Sequence, residues 1–251
     1  MKNKLTTLTT FIVIIIGWYL LSLNVNNLFV PNPIKVLDNG IQLISTGQLQ
    51  THLLWTFRRI LIASCISGML SLIFGFLIYN FKFMRHTINP VVNLLRYVPV
   101  TAFYPLLIMW LGIDESMKIA FYVIATFVYM LPSVVLALEE INIDLIDTGY
   151  TLGMNKFQAI TMIQLPATLP SILNSFIVSF GIGFTYCAVC ETINAKNGLG
   201  FMIQQSSSRG RTDLVFLGII TIMLISFIFD NASKYIVKKT FKWRYINDSV
   251  E

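Results

Sequence analysis

The stretch Glu139-Glu140-Ile141-Asn142-Ile143-Asp144-Leu145-Ile146-Asp147-Thr148-Gly149-Tyr150-Thr151-Leu152-Gly153-Met154-Asn155-Lys156-Phe157-Gln158-Ala159-Ile160-Thr161-Met162-Ile163-Gln164-Leu165-Pro166 leaves one apolar run and returns to another. Met117 to Leu138 precedes it and Ala167 to Cys190 follows. Each can cross a bilayer, which takes roughly 20 mostly apolar residues at 1.5 Å per residue. Gly149 and Gly153 break the helical pattern between two short pieces. Asn155 caps the second, with Gln158 three residues on in the reciprocal capping position, and Pro166 ends it. Phe157, Ile160 and Ile163 then share a face. The stretch reads as a short amphipathic helix pair projecting from the membrane, suited to docking in a groove on a partner.

Working outward, four more stretches match the length of a span: Leu8 to Leu23, Ile60 to Tyr79, Ile88 to Leu111, and Leu214 to Ser233. Composition agrees. Apolar residues make up 55% of the 251 and charged ones 12%, about half the ~25% of a soluble protein. Mean hydropathy is +0.71. A soluble enzyme is excluded, and the fold class expected is an all-α polytopic membrane protein with six transmembrane helices. The net charge of +6 needs only basic loops beside a bilayer, so no nucleic acid is read into it. Three cysteines are too few for a disulfide scaffold.

Leu8 to Leu23 follows Lys2 and Lys4 as a signal peptide would. But Ser22-Leu23-Asn24-Val25-Asn26 lacks a small-x-small cleavage pattern, so a retained anchor is expected. With the N-terminus in the cytoplasm, ten basic residues flank the spans inside and seven outside. The cluster Lys234 to Arg244 carries most of that bias and sets both termini inside. Asn24 to Arg59 is then external, with Val30-Pro31-Asn32-Pro33 as a turn and a short helix along the interface after it. Glu139 to Pro166 is internal, and Glu191 to Asp213 external.

Small residues recur at four-residue spacing in two spans: Ala63, Ser67, Ser71 and Gly75 in one, Ser175, Ser179, Gly183 and Cys187 in the other. Such faces let backbones approach closely. They serve either packing within one subunit or a seam between two. Pro99 and Pro105 kink the third span, which a bilayer tolerates only against protein or a wet cavity. Arg96 is the one charge well inside a span. It marks a functional site or snorkels to the inner surface. Asp230 and Lys234 have i,i+4 spacing for an ion pair. Cys187 and Cys190 read as small buried residues. His52 and His86 stand outside any metal-ligand spacing, so no metal site is expected. No Walker A sequence occurs, so energised work would need an ATPase on another chain.

Gly153, then nine residues, then Ile163-Gln164-Leu165-Pro166 resembles the coupling-loop signature E-A-A-x-x-x-G-x9-I-x-L-P of ABC importer permeases. Asp147, Thr148 and Gly149 stand in place of E-A-A. Aspartate keeps the charge with one methylene less reach, and Gly149 weakens the helix by about 1 kcal/mol relative to alanine. Other stretches are similar to nitrate/sulfonate/taurine-type permeases: Pro31-Asn32-Pro33 with Gly47-Gln48-Leu49 and His52, Leu95-Arg96-Tyr97-Val98-Pro99, Ile108-Met109-Trp110-Leu111-Gly112-Ile113, and Glu191 followed by Asn197-Gly198-Leu199-Gly200.

The resemblance implies the fold of a type I importer permease: an N-terminal anchor helix at 1–30, an external or interfacial segment at 31–58, a five-helix core at 59–238 and a basic cytoplasmic tail at 239–251. It implies a coupling helix at about Asp147 to Gln158, inside the loop 139–166. Asp147, Thr148, Gly149, Gly153, Phe157, Ile163, Leu165 and Pro166 would couple to the ATPase. Arg96, Tyr97, Pro99, Thr101, Tyr104 and Glu191 are the candidates for the translocation path. The partners implied are two cytoplasmic ABC ATPase subunits, a second permease copy forming a homodimer, an extracellular or periplasmic solute-binding protein, and membrane lipid. The chain itself binds no cofactor and is no enzyme; ATP and Mg are used by the ATPase. The location implied is the bacterial inner membrane. The solutes implied are sulfonates, taurine or nitrate, with a pyrimidine vitamin precursor as the alternative. A stand-alone secondary transporter using Arg96 and Glu191 is the rival, but it would show internal repeats and several intramembrane acids.

Overall fold

The computed structural model describes residues 2–95 and 97–245. Arg96 lies outside them. The described residues form helices joined by turns, with no strand among them. Twelve α-helices follow in order: α1 (Lys2–Asn24), α2 (Pro33–Ser45), α3 (Gln48–Asn80), α4 (Lys82–Thr87), α5 (Asn89–Leu95), α6 (Tyr104–Leu111), α7 (Glu115–Glu139), α8 (Ile143–Thr151), α9 (Lys156–Ala159), α10 (Leu165–Cys190), α11 (Leu199–Ser208) and α12 (Thr212–Thr240).

Four runs among the described residues are long and apolar enough to span a bilayer: Gln48–Asn80, Glu115–Glu139, Lys156–Cys190 and Thr212–Thr240. The count expected from the sequence was six. Two stretches account for the difference. The apolar described part of α1, Thr9–Asn24, falls short of span length. The third stretch is a bent pair, Asn89–Leu95 and Val100–Leu111, turned by 90°; counted as one broken span, it raises the total to five. Pro99 holds an extended backbone (φ −69°, ψ 98°) ahead of a 3₁₀ turn at Val100–Phe103. Pro105 sits in the first turn of α6, where its missing N–H costs nothing. So Pro99 ends the break and Pro105 starts a helix; neither kinks a continuous span.

The chain divides into two compact units, 1–57 with 187–225 and 58–186 with 226–251. In the first, Trp18 Nε1 donates to the Pro31 carbonyl (3.1 Å) and its ring stacks on Phe216 (5.6 Å). Asn32 caps α2 by accepting from the Ile34 N–H, with Pro33 in the first turn. Leu49, Leu199 and Met202 form its core. Asp213 accepts from Asn39 Nδ2 (2.7 Å) and Arg211 (2.9 Å).

In the second unit, α3 and α10 pack on α7. Met130, Val134, Ala137, Leu138 and Ile172 form a core joined by Leu72, Phe76 and Phe176. A Cβ on Gly75 would meet Val134 Cγ1 at 2.6 Å, and one on Gly183 would meet Ile60 Cγ2 at 2.6 Å. Thr126 Oγ1 donates to Ser67 Oγ at 2.8 Å. These glycines and Ser67 therefore serve close packing inside the chain. Phe180 stacks on Phe229 with ring centroids 3.8 Å apart. Lys234 Nζ donates to Asp230 Oδ2 at 2.8 Å, and Cys187 and Cys190, which belong to the first unit, are buried, both as expected.

Candidate functional site

The loop between α7 and α10 builds itself from local chemistry. Asn142 caps α8 by accepting from the Asp144 N–H at 2.9 Å. Thr148 and Thr151 return their hydroxyls to the carbonyls of Asp144 and Asp147. Gly153, at φ +86°, takes the left-handed conformation that turns the chain, a geometry glycine adopts without a Cβ penalty. Asn155 and Gln158 then close a full capping box, each bond 2.9 Å.

Three local expectations need correction. Gly149 lies inside α8 and breaks nothing. It is buried, and a Cβ there would meet Ile163 Cδ1 at 2.5 Å and Met154 Sδ at 3.2 Å. Its lack of a side chain is therefore a packing requirement. Pro166 does not end the second helix either, because helix continues from Lys156 through Cys190. A π-helical stretch at Ile160–Gln164 widens the turn just before the proline, and the Leu165 N–H donates to the Ile160 carbonyl. That register shift spares Pro166 the clash an α-helix would impose. It also splits the expected apolar face: Phe157 is 73% exposed, while Ile160 and Ile163 are half-buried.

Gln164 anchors the stretch. It is 1% exposed, and its amide exchanges two hydrogen bonds with Asn80, at 2.9 and 3.0 Å. Asp147, Thr148, Gly153 and Pro166 are exposed, as are Leu145, Leu152, Phe157 and Met162, and Leu165 is half-buried. The loop thus has a fixed inner side and an apolar outer side that the chain leaves uncovered.

The segment between α10 and α11 is closed on itself. Glu191 is fully buried. Thr56 Oγ1 lies 2.9 Å from both carboxylate oxygens and donates to the carboxylate. The Gly200 N–H donates to Glu191 Oε2 at 2.9 Å. Thr56 Oγ1 in turn accepts from the Leu199 N–H at 2.8 Å, and His52 Nδ1 accepts from the Gly198 N–H at 3.1 Å. A Cβ on Gly200 would collide with the Cys187 carbonyl. Glu191 therefore clasps the start of α11 to α3.

A model of the family described as binding-protein-dependent transport system inner membrane component matches residues 67–242. The chain belongs to that family. Its sequence is 27% identical over 241 residues to the taurine transport system permease protein TauC of Escherichia coli (strain K12), covering 94% of this chain and 88% of that protein. It is 29% identical over 214 residues to the putative aliphatic sulfonates transport permease protein SsuC of Bacillus subtilis (strain 168), covering 85% and 78%. Its fold is similar to that of an amino acid ABC transporter solved with histidines, at a TM-score of 0.66 and 14% identity, covering 79% of this chain and 96% of that one. The all-α importer-permease fold and the role of a translocation subunit are borne out.

Within the permease, the other path candidates do not gather at one point. Tyr97 is 82% exposed, and Pro99 and Thr101 are exposed at the break before α6. Tyr104 is buried, edge-on to Phe121 at 5.4 Å. Sequence reasoning missed an ion cluster near the start of α7. Arg59, 3% exposed, donates twice to Glu115, each bond 2.7 Å. Lys118, 1% exposed, lies 3.6 Å from the same carboxylate. Lys118 stands at i,i+3 from Glu115, a local signal, but Arg59 lies 56 positions away, with nothing local to pair it.

Proposed function

We propose that the permease belongs to an ATP-binding-cassette importer and receives its ATPase on the loop Glu139 to Pro166. The observation that carries this is the outer side of that loop: Leu145, Leu152, Phe157 and Met162 are all more than half exposed, on short helices fixed from behind by a capping box and the Asn80–Gln164 amide pair. Exposed apolar side chains on a rigid helix pair fit a groove on a partner. ATP-driven closure of a dimeric ATPase then pushes the loop, and the π stretch passes the push into α10. Asp147 replaces the usual glutamate as the acid facing the ATPase.

In this reading both termini and the loop are cytoplasmic, two copies of the permease form the path, and a solute-binding protein delivers from the other side. The two sulfonate-type relatives support taurine or another small sulfonate as the solute. The test is uptake into liposomes holding the permease with its ATPase, supplied with the binding protein and labelled taurine. Uptake that requires ATP and all three components is the expected result. Uptake by the permease alone, without ATP, overturns the reading in favour of a secondary transporter.

A further inference from the structure

One polar feature of the spans has no part in docking or in the clasp. Tyr129 and Ser133 stand one turn apart near the middle of α7, and Asn174, Ser175 and Ser179 lie near the middle of α10. Together with Val178 and Ile182 they line an open groove of about 330 Å³, at the small end of the ~300–1,000 Å³ range of ligand pockets. At hydrocarbon depth, polar side chains facing an opening are expensive unless the opening is wet. Ser133 Oγ donates to the Tyr129 carbonyl at 2.9 Å and Ser175 Oγ to the Ser171 carbonyl at 3.0 Å, so both hydroxyl protons rest on their own helices. Ser179 differs. It is 2% exposed, borders the groove, and its hydroxyl has no hydrogen-bond partner among the described residues. No charged residue lines the groove.

We propose that this groove is a wall of the solute path, and that the Ser179 hydroxyl and the Asn174 amide donate neutral hydrogen bonds to the oxygens of a small polar solute, while Tyr129, Ser133 and Ser175 line the wall beside them. The proposal rests on the permease reading and adds to it the residues that touch the solute. Neutral hydroxyl and amide groups suit passage: a fixed counter-charge in hydrocarbon would hold a sulfonate too tightly to release it. The Ser179 hydroxyl borders the groove and can donate to a solute there.

The test uses the full importer in liposomes and the water-soluble thiol reagent 2-sulfonatoethyl methanethiosulfonate. Ser179→Cys is compared with Phe227→Cys on an apolar exposed face of α12, with the parent complex giving the background from native cysteines. Ser179→Cys is expected to react at least tenfold faster than Phe227→Cys, at a rate that changes when the ATPase is trapped with nucleotide. Equal or slower reaction overturns the proposal. So does a Ser175→Cys variant that forms disulfide-linked dimers on mild oxidation and resists the reagent, since the face is then a seam between two copies. Ser179→Ala, which keeps the volume, is expected to lower taurine uptake three- to tenfold at unchanged yield and ATPase assembly; unchanged uptake counts against the groove. Failure of the parent to show ATP-dependent uptake sinks the permease reading, whereas an active parent with an unreactive Ser179→Cys sinks only the groove.

Discussion

Two loops of this permease meet opposite physical demands. The segment after Cys190 turns its one carboxylate inward and satisfies it with Thr56 and Gly200. The loop before Pro166 turns Leu145, Leu152, Phe157 and Met162 outward and leaves them bare. The first spends its chemistry on holding its own shape. The second holds its shape with caps and one amide pair, and keeps its outer surface for something else. The contrast supports the proposal that the uncovered loop, rather than the one with the buried charge, is where a partner docks.

Substitutions can break or sharpen that contrast. The largest effect on stability is expected at Glu191. Glu191→Ala strands the Thr56 hydroxyl and the Gly200 N–H in a buried site, at about 1–3 kcal/mol for each group left unpaired. Thermal unfolding of the detergent-solubilised permease should show that loss, with ATPase binding by the surviving folded fraction unchanged. An undiminished melting temperature would mean the clasp is ornamental.

Gly149→Ala comes next. Helix propensity alone favours alanine by about 1 kcal/mol, but its Cβ would meet Ile163 Cδ1 at 2.5 Å, an overpacking cost of about 1–3 kcal/mol. The variant should therefore lose stability, and adding Ile163→Val, which removes that methyl, should restore it. A stabilised single variant, or a double variant no better than the single, contradicts the packing argument. Gly153→Ala should cost about 1–2 kcal/mol, the strain of a left-handed residue with a Cβ; hydrogen exchange localised to the loop would register it.

How far the sequence alone reached follows from the distances involved. The capping box at Asn155 and Gln158 spans three residues and was legible, as were the continuous spans α7 and α12, whose apolar runs need no partner to be recognised. The steric role of Gly149 was not, because it depends on a side chain fourteen residues on, reached only after the turn at Gly153. The amide pair of Asn80 and Gln164 and the ion pair of Arg59 and Glu115 close over 84 and 56 positions, where no local pattern selects the partner. Pro166 misled in its own way. Proline signals an end, and the π stretch that lets the helix run on leaves no mark in composition.

The smallest effect on stability belongs to Phe157, and it decides the central claim. The side chain is 73% exposed, so Phe157→Ala should change the unfolding free energy of the permease by no more than about 0.5 kcal/mol. If the loop is the docking element, the same variant loses its ATPase. The measurement is the amount of ATPase that co-purifies with Phe157→Ala relative to the parent. The account predicts at least a tenfold drop with the melting temperature of the isolated permease unchanged. Full retention of the ATPase, with ATP-driven uptake intact, would contradict it.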